Sequence, residues 1–262
     1  MFLSRLVGSI IYLAVVFAAI YFGSGSFAVL CVLLAAVTVA EFTAMLGKKD
    51  LGGSYVLNIA GGVAVTLCIG LSYSMFWPVL ITFLFAALML PAMRRNGSPV
   101  PALAQLCGIA YIGVGFGCLL AAKSLGNTLM LLIPFIIVIT TDAGGYLVGS
   151  LIGKHKLIPR ISPKKSWEGA VGGLILCVAA MYTYNYFWLH ESLIFIAVLS
   201  VVGSILGQFG DLLESYLKRW AGVKDSGHML PGHGGMFDRF DSMMMVAPMV
   251  YAASCILILI QI

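Results

Sequence analysis

Apolar residues run along this chain in about nine long blocks, at approximately residues 6–22, 27–46, 55–71, 76–90, 102–122, 128–150, 170–189, 192–212 and 242–262, with short polar or Gly/Pro breaks between them. Each block is about long enough to cross a bilayer core. Lipid offers no water to backbone N–H and C=O groups, so such a block must satisfy its own hydrogen bonds as a helix. An all-α, polytopic integral membrane protein with about nine transmembrane helices is therefore expected. Charged residues make up 10% of the chain, against ~25% in soluble domains, which excludes a soluble globule. The first block follows Arg5. It is read as a retained span, because no clear small-x-small cleavage site is followed by a soluble domain.

The loops between nine spans alternate sides, and the basic residues divide unevenly between them. One side receives Arg5, Lys48, Lys49, Arg94, Arg95, Lys154, Lys156, Arg160, Lys164, Lys165, Lys218, Arg219, Lys224 and Arg239; the other receives only Lys123. By the positive-inside tendency the amino terminus is cytoplasmic and the carboxyl terminus lies outside. The net charge of +5 is explained by this asymmetry. No basic run with interleaved aromatics points to nucleic acid. The six cysteines are scattered through apolar blocks without a CxxC pair, so they are read as packing residues.

Chemistry-bearing residues crowd into the second half, dividing the chain into an N-terminal membrane-spanning region, 1–125, and a C-terminal membrane-embedded catalytic region, 126–262. Seven of the ten acids are Asp142, Glu168, Asp211, Glu214, Asp225, Asp238 and Asp241. The charged segments 153–168 and 211–241 fall on the same predicted face, where they can form one site. In Gly227-His-Met-Leu-Pro231-Gly-His233-Gly234-Gly235, the proline and glycines predict an irregular loop whose backbone N–H groups approach an anion. A helix starting near Asp238 would add its positive end to that cradle. Lys218, Arg219, Lys224 and Arg239 supply cations suited to a polyphosphate, and His233 is aimed at phosphate from the glycine loop. Asp238 and Asp241 stand three apart on one helix face. Asp211, Glu214, Ser215 and Lys218 draw a polar stripe along the end of the eighth span, and carboxylates beside a phosphate cradle suit a hard cation.

The 27 residues of 215–241, beginning Ser215-Tyr-Leu-Lys218-Arg219 and ending Phe237-Asp238-Arg239-Phe-Asp241, resemble the signature of phosphatidate cytidylyltransferases (CDP-diacylglycerol synthases). The resemblance extends upstream to Asp142-Ala-Gly-Gly-Tyr146, Gly153-Lys154-His-Lys156, Ser162-Pro163-Lys164-Lys165-Ser166-Trp-Glu168-Gly169 and Gly210-Asp211-Leu-Leu-Glu214-Ser215. Residues 1–125 resemble the family mainly in hydropathy. Gly145 stands where many members carry Ala, a small-for-small change. The resemblance implies transfer of a cytidylyl group from CTP to phosphatidic acid, giving CDP-diacylglycerol and pyrophosphate at the cytoplasmic face of a bacterial inner membrane, with a homodimer as a permitted assembly. It also implies that Asp211 and Asp238 ligate Mg²⁺, with room for a second cation, and that Asp142 and Asp241 support them. Ser162, Lys164, Lys165, Ser166, Ser215, Lys218, Arg219, Lys224, Asp225, His233, Gly234, Gly235 and Arg239 would contact substrate.

Ser162 followed by Pro163 predicts a helix start, with Ser162 as N-cap and Pro163 at the first helical position. Two lysines in the first turn would oppose the helix dipole unless an anion binds there. Juxtamembrane attraction to anionic headgroups would explain the same lysines. Asp142, an acid at membrane depth, is read as facing an interior cavity. Glu41 is read as snorkelling from the end of the second span. An ion-coupled transporter would need paired interrupted helices in two halves, whereas the polar residues here lie in one half and on one face. The DG-and-AR motif with spaced aspartates that marks CDP-alcohol phosphotransferases is absent.

Overall fold

A computed structural model describes residues 14–71, 78–83, 85–86, 97–227 and 234–261. The protein is an all-α polytopic membrane protein, whose only strands among the described residues form one short hairpin. Its helices are α1 (Ser24–Gly47), α2 (Tyr55–Leu71), α3 (Val100–Ser124), α4 (Thr128–Ile152), α5 (Trp167–Tyr184), α6 (Leu193–Ala221) and α7 (Phe237–Gln261). The strands β1 (Lys156–Ile158) and β2 (Ser162–Ser166) lie between α4 and α5. Six helices are long and apolar enough to cross a membrane, and the shorter α2 is also apolar. Seven of the expected blocks thus correspond to helices. The blocks at 6–22 and 76–90 fall partly outside the described residues; their described parts, within 14–22 and at 78–83 and 85–86, are helical apart from the turn at Phe22.

The described residues form two compact units, one drawn from Met1–Ser124 with Trp220–Arg239, the other from Leu125–Arg219 with Phe240–Ile262. In the first unit, α1, α2 and α3 pack through small residues. A Cβ added at Gly113 of α3 would lie 2.7 Å from Val65, and one at Gly117 would lie 2.8 Å from Ile69. Helices in lipid gain little from apolar burial against each other, so close backbone approach at such glycines supplies the contact. Asn58 of α2 donates through Nδ2 to Thr43 Oγ1 of α1 at 3.1 Å. Buried polar groups in this position need such partners.

In the second unit, α4 and α5 cross closely where Gly144 meets Gly172 and Gly173: a Cβ at Gly144 would come within 2.9 Å of the Gly172 carbonyl oxygen. Ile133, Ile137, Cys177, Met181, Ile196, Val246 and Val250 fill the core between α4, α5, α6 and α7. Asn127 caps α4, its side chain accepting from Leu129 N at 3.0 Å and Met130 N at 3.3 Å. A π-helical turn, Asn185–Leu189, ends α5. It is closed by the Asn185 side chain, which bonds both the N–H and the carbonyl of Glu191.

The expected helix start at Ser162-Pro163 is not formed. These residues lie in β2, antiparallel to β1, with Ser162 opposite Ile158 and Ser166 opposite Lys156. The helix begins four residues later, where Ser166 Oγ accepts from Gly169 N at 3.1 Å. The difference has an electrostatic cause. A start at Ser162 would place Lys164 and Lys165 against the positive end of the helix, whereas a start after Ser166 places Glu168 there. Pro163 lacks an N–H donor but is tolerated in a two-stranded hairpin, where every strand is an edge. Glu168 also clamps the hairpin, accepting from His155 N and pairing with His155 Nδ1 at 2.6 Å.

Candidate functional site

Within the second unit, the last turns of α6 and the first turns of α7 carry an acidic cluster. Asp211, Glu214 and Asp241 each offer a carboxylate oxygen, all within 4.8 Å of one another. Asp211 and Glu214 share a face of α6 because they stand three apart. Their approach to α7 depends on Gly210, where a Cβ would lie 2.5 Å from the Asp241 carbonyl oxygen. Lys165 Nζ, carried in by β2, lies 2.5 Å from Asp211 Oδ2. Lys218 Nζ lies 2.7 Å from Glu214 Oε2, one helical turn along α6. Asp142 of α4 feels the charges of Asp211 and Lys165, and Asp241 feels those of Asp142, Asp211 and Lys165. Four acids and two lysines are therefore gathered around Asp211 and Glu214. Ser215 Oγ donates to Asp211 Oδ1 at 3.4 Å. A donor set made of carboxylate oxygens suits a hard, oxygen-seeking cation, so the residues present fit a divalent metal ion.

Other expected substrate contacts take identifiable places in the same unit. Lys164 is exposed on β2, while Ser162 is half-buried in the hairpin. Ser166 is buried and spends its side-chain oxygen on the α5 cap. Arg219 donates from Nε to the Ile161 carbonyl at 3.4 Å, tying the end of α6 to the hairpin.

In the first unit, the start of α7 is held by carboxylates of the chain itself. Asp238 Oδ2 accepts from Ser226 N at 3.0 Å, Ser226 Oγ at 2.9 Å and Gly235 N at 2.8 Å. Glu41 of α1 accepts from Met236 N and Phe237 N, each at 2.9 Å. The sequence reading gave these N–H groups to a phosphate. Instead, the N–H groups of Gly235, Met236 and Phe237 are engaged by Asp238 and Glu41. Gly234 adopts the left-handed backbone, φ +78°, that glycine tolerates. Gly235 has no room for a Cβ beside Ser226 Oγ and the Glu41 carboxylate. Lys224 and Asp225 are exposed in the preceding segment, and Arg239 is exposed in the first turn of α7. His233 and Pro231 lie outside the described residues.

Glu214 lies on the polar stripe whose carboxylates suit a hard cation, and its spacing from Asp211 is the signal that it joins the cluster. Glu41 does not snorkel: it is 9% exposed and bonded to the α7 start. An ionised carboxylate leaves water at high cost unless it finds donors, and the first three N–H groups of a helix are such donors. No local motif around Glu41 announces that partner.

The family model of the cytidylyltransferase family matches residues 3–257. Curated relatives include phosphatidate cytidylyltransferases of Staphylococcus epidermidis and Staphylococcus aureus, each 42% identical over 173 residues. The enzyme of the same name from Staphylococcus saprophyticus is 43% identical over 173 residues. Each alignment covers 65% of this chain and 66% of the relative, just under two thirds of its length. The family match spans nearly the whole chain, and the chain belongs to the cytidylyltransferase family.

Proposed function

We propose that this protein transfers a cytidylyl group from CTP to phosphatidic acid, forming CDP-diacylglycerol and pyrophosphate, and that residues 126–262 form its catalytic region. The observation that carries the reading is the Asp211, Glu214 and Asp241 cluster with Lys165 at hand, in a chain of this family. An oxygen of the lipid phosphate bonds to the α-phosphorus of CTP while the bond to the bridging oxygen breaks, and pyrophosphate leaves. A phosphate monoester is largely ionised near neutral pH, so no general base is needed. Asp211, Glu214 and Asp241 would hold Mg²⁺, which when bound neutralises charge on the reacting phosphates. A ligand role for Asp238, whose carboxylate is held by Ser226 and Gly235, is part of the proposal, as is a supporting role for Asp142. Lys164, Lys165, Lys218, Arg219, Lys224, His233 and Arg239 are proposed phosphate contacts.

A groove of about 1370 Å³ between α4 and α5 supports the lipid half of the reading. It is lined by Leu147, Val171, Ile175 and Leu176, with Lys154 and Lys156 at one end. Apolar walls ending in cations match the acyl chains and phosphate of an anionic lipid. The proposed location is a bacterial plasma membrane with the site facing the cytoplasm. Cysteines placed after Ser150 or at 222–235 should then resist labelling from outside, and labelling of both would reverse the orientation. The decisive experiment incubates purified protein with CTP labelled at the α-phosphorus, phosphatidic acid and Mg²⁺. Label in the lipid fraction is expected, and a lipid fraction without label would overturn the activity.

A further inference from the structure

We propose that Glu41 is a positioning residue for the start of α7, setting the place of Asp238 from the N-terminal part of the chain. The proposal deepens the activity proposed above and rests on it for its kinetic consequence. Glu41 binds the turn at both of its carboxylate oxygens. Oε1 accepts from Met236 N at 2.9 Å; Oε2 accepts from Phe237 N at 2.9 Å and lies 3.2 Å from Ser226 Oγ. The same Ser226 hydroxyl lies 2.9 Å from Asp238 Oδ2. Glu41 and Asp238 therefore meet at one side chain.

Two glycines and three aromatic rings are shaped to this contact. A Cβ at Gly227 would run into the Glu41 carboxylate, and one at Gly235 would meet Glu41 and Ser226. Phe237 is fully buried, with edge-to-face contacts to Phe42 at 5.9 Å and Tyr111 at 6.5 Å between ring centroids. Phe42 is the neighbour of Glu41 in α1, so one helix turn supplies both the anion and the ring that seat α7. A carboxylate at a helix N-terminus is favoured by the dipole and by the unpaired N–H groups. Here it leaves the direction of the first turn, and with it the Asp238 side chain, little freedom.

Three variants, Glu41→Gln, Glu41→Asp and Ser226→Ala, test the proposal in full-length protein. Amide hydrogen exchange of the 222–241 peptide is read beside steady-state kinetics with CTP and phosphatidic acid. Glu41→Gln turns one acceptor into a donor facing N–H groups. It should speed exchange in 222–241 but not in the α4–α5 hairpin, and lower kcat roughly tenfold or more, with KM for both substrates within about twofold. Glu41→Asp keeps the charge and should recover part of kcat. Ser226→Ala removes the hydroxyl shared between Glu41 and Asp238 while leaving the Ser226 N–H on Asp238 and the Glu41–backbone bonds, and should lower kcat without moving exchange at Phe237. Wild-type kcat in Glu41→Gln overturns the proposal, as does equal damage in the Gln and Asp variants or unchanged exchange in 222–241. If the wild-type protein labels no lipid, the activity fails instead, while the exchange data still decide whether Glu41 holds the turn.

Discussion

Two sets of carboxylates in this chain are stabilised in opposite ways. Glu41 and Asp238, in the first unit, accept from backbone N–H groups and one serine hydroxyl. Asp211 and Glu214, in the second, are paired with the flexible ammonium groups of Lys165 and Lys218. Backbone donors are fixed by the helix they belong to, so carboxylates bound to them are held as parts of the scaffold. Lysines on four-carbon stems can turn away, so carboxylates paired with them can exchange that partner for a metal ion. The same side-chain chemistry thus serves geometry in one place and exchangeable binding in the other.

The sharpest way to break this contrast is Asp211→Asn, which keeps shape but removes charge from the lysine-paired set. Turnover should fall on the order of a hundredfold or more, because charge stabilisation by a bound metal is worth several kcal/mol. The unfolding midpoint should stay near wild type. Full activity of the wild-type protein in chelator, or an Asp211→Asn enzyme with unchanged Mg²⁺ titration, would remove the metal assignment. Asp238→Asn is the next largest test, with a loss of roughly ten- to a hundredfold, since an amide cannot accept from all three donors as well as a carboxylate does. A higher Mg²⁺ requirement in the surviving rate would make Asp238 a ligand. A lower kcat at an unchanged Mg²⁺ requirement would leave it with the scaffold.

The lysines of β2 divide the contrast further. Lys165 pairs with Asp211, whereas Lys164 is exposed. Lys165→Ala should raise KM or lower kcat by roughly tenfold, the worth of one charged hydrogen bond. Lys164→Ala should raise KM by about two- to threefold, less than at Lys165, because an exposed contact is screened by solvent. Equal effects of the two substitutions would mean that the Lys165–Asp211 pair has no special role.

Much of the fold was legible because apolar block length is a local property: α1 to α7 follow blocks visible in the chain. The start of α7 at Phe237 was legible too, from the glycines and acids around it. The hairpin was not, since Ser162-Pro163 is a sound helix start in isolation and only the competing cap at Ser166, with Glu168 behind it, displaces the start. The Asp211, Glu214 and Asp241 cluster was half legible. Helical spacing links Asp211 to Glu214, but Asp241 joins them only through the packing of α6 on α7 at Gly210. Glu41 could not be read from its neighbours, because its partners Met236 and Phe237 lie 195 and 196 positions further along the chain.

Ser166 gives the smallest expected effect and sharpens the contrast from a third side, since it satisfies a helix start with a neutral oxygen. The resemblance counts it among substrate contacts, whereas the structure buries it at 4% exposure with Oγ accepting from Gly169 N. Ser166→Ala removes that acceptor and should destabilise the protein by ~0.5–2 kcal/mol, as cap deletions do. Ser166→Asp restores an acceptor and adds a charge that the dipole favours. It should recover stability if the cap is the whole role of the residue. Denaturation in detergent and KM for CTP and phosphatidic acid, measured on both variants, separate the roles. Lower stability in the alanine variant with KM within about twofold would place Ser166 with the scaffold. Unchanged stability with a raised KM would return it to the substrate, because a capping oxygen acts on folding before it acts on binding.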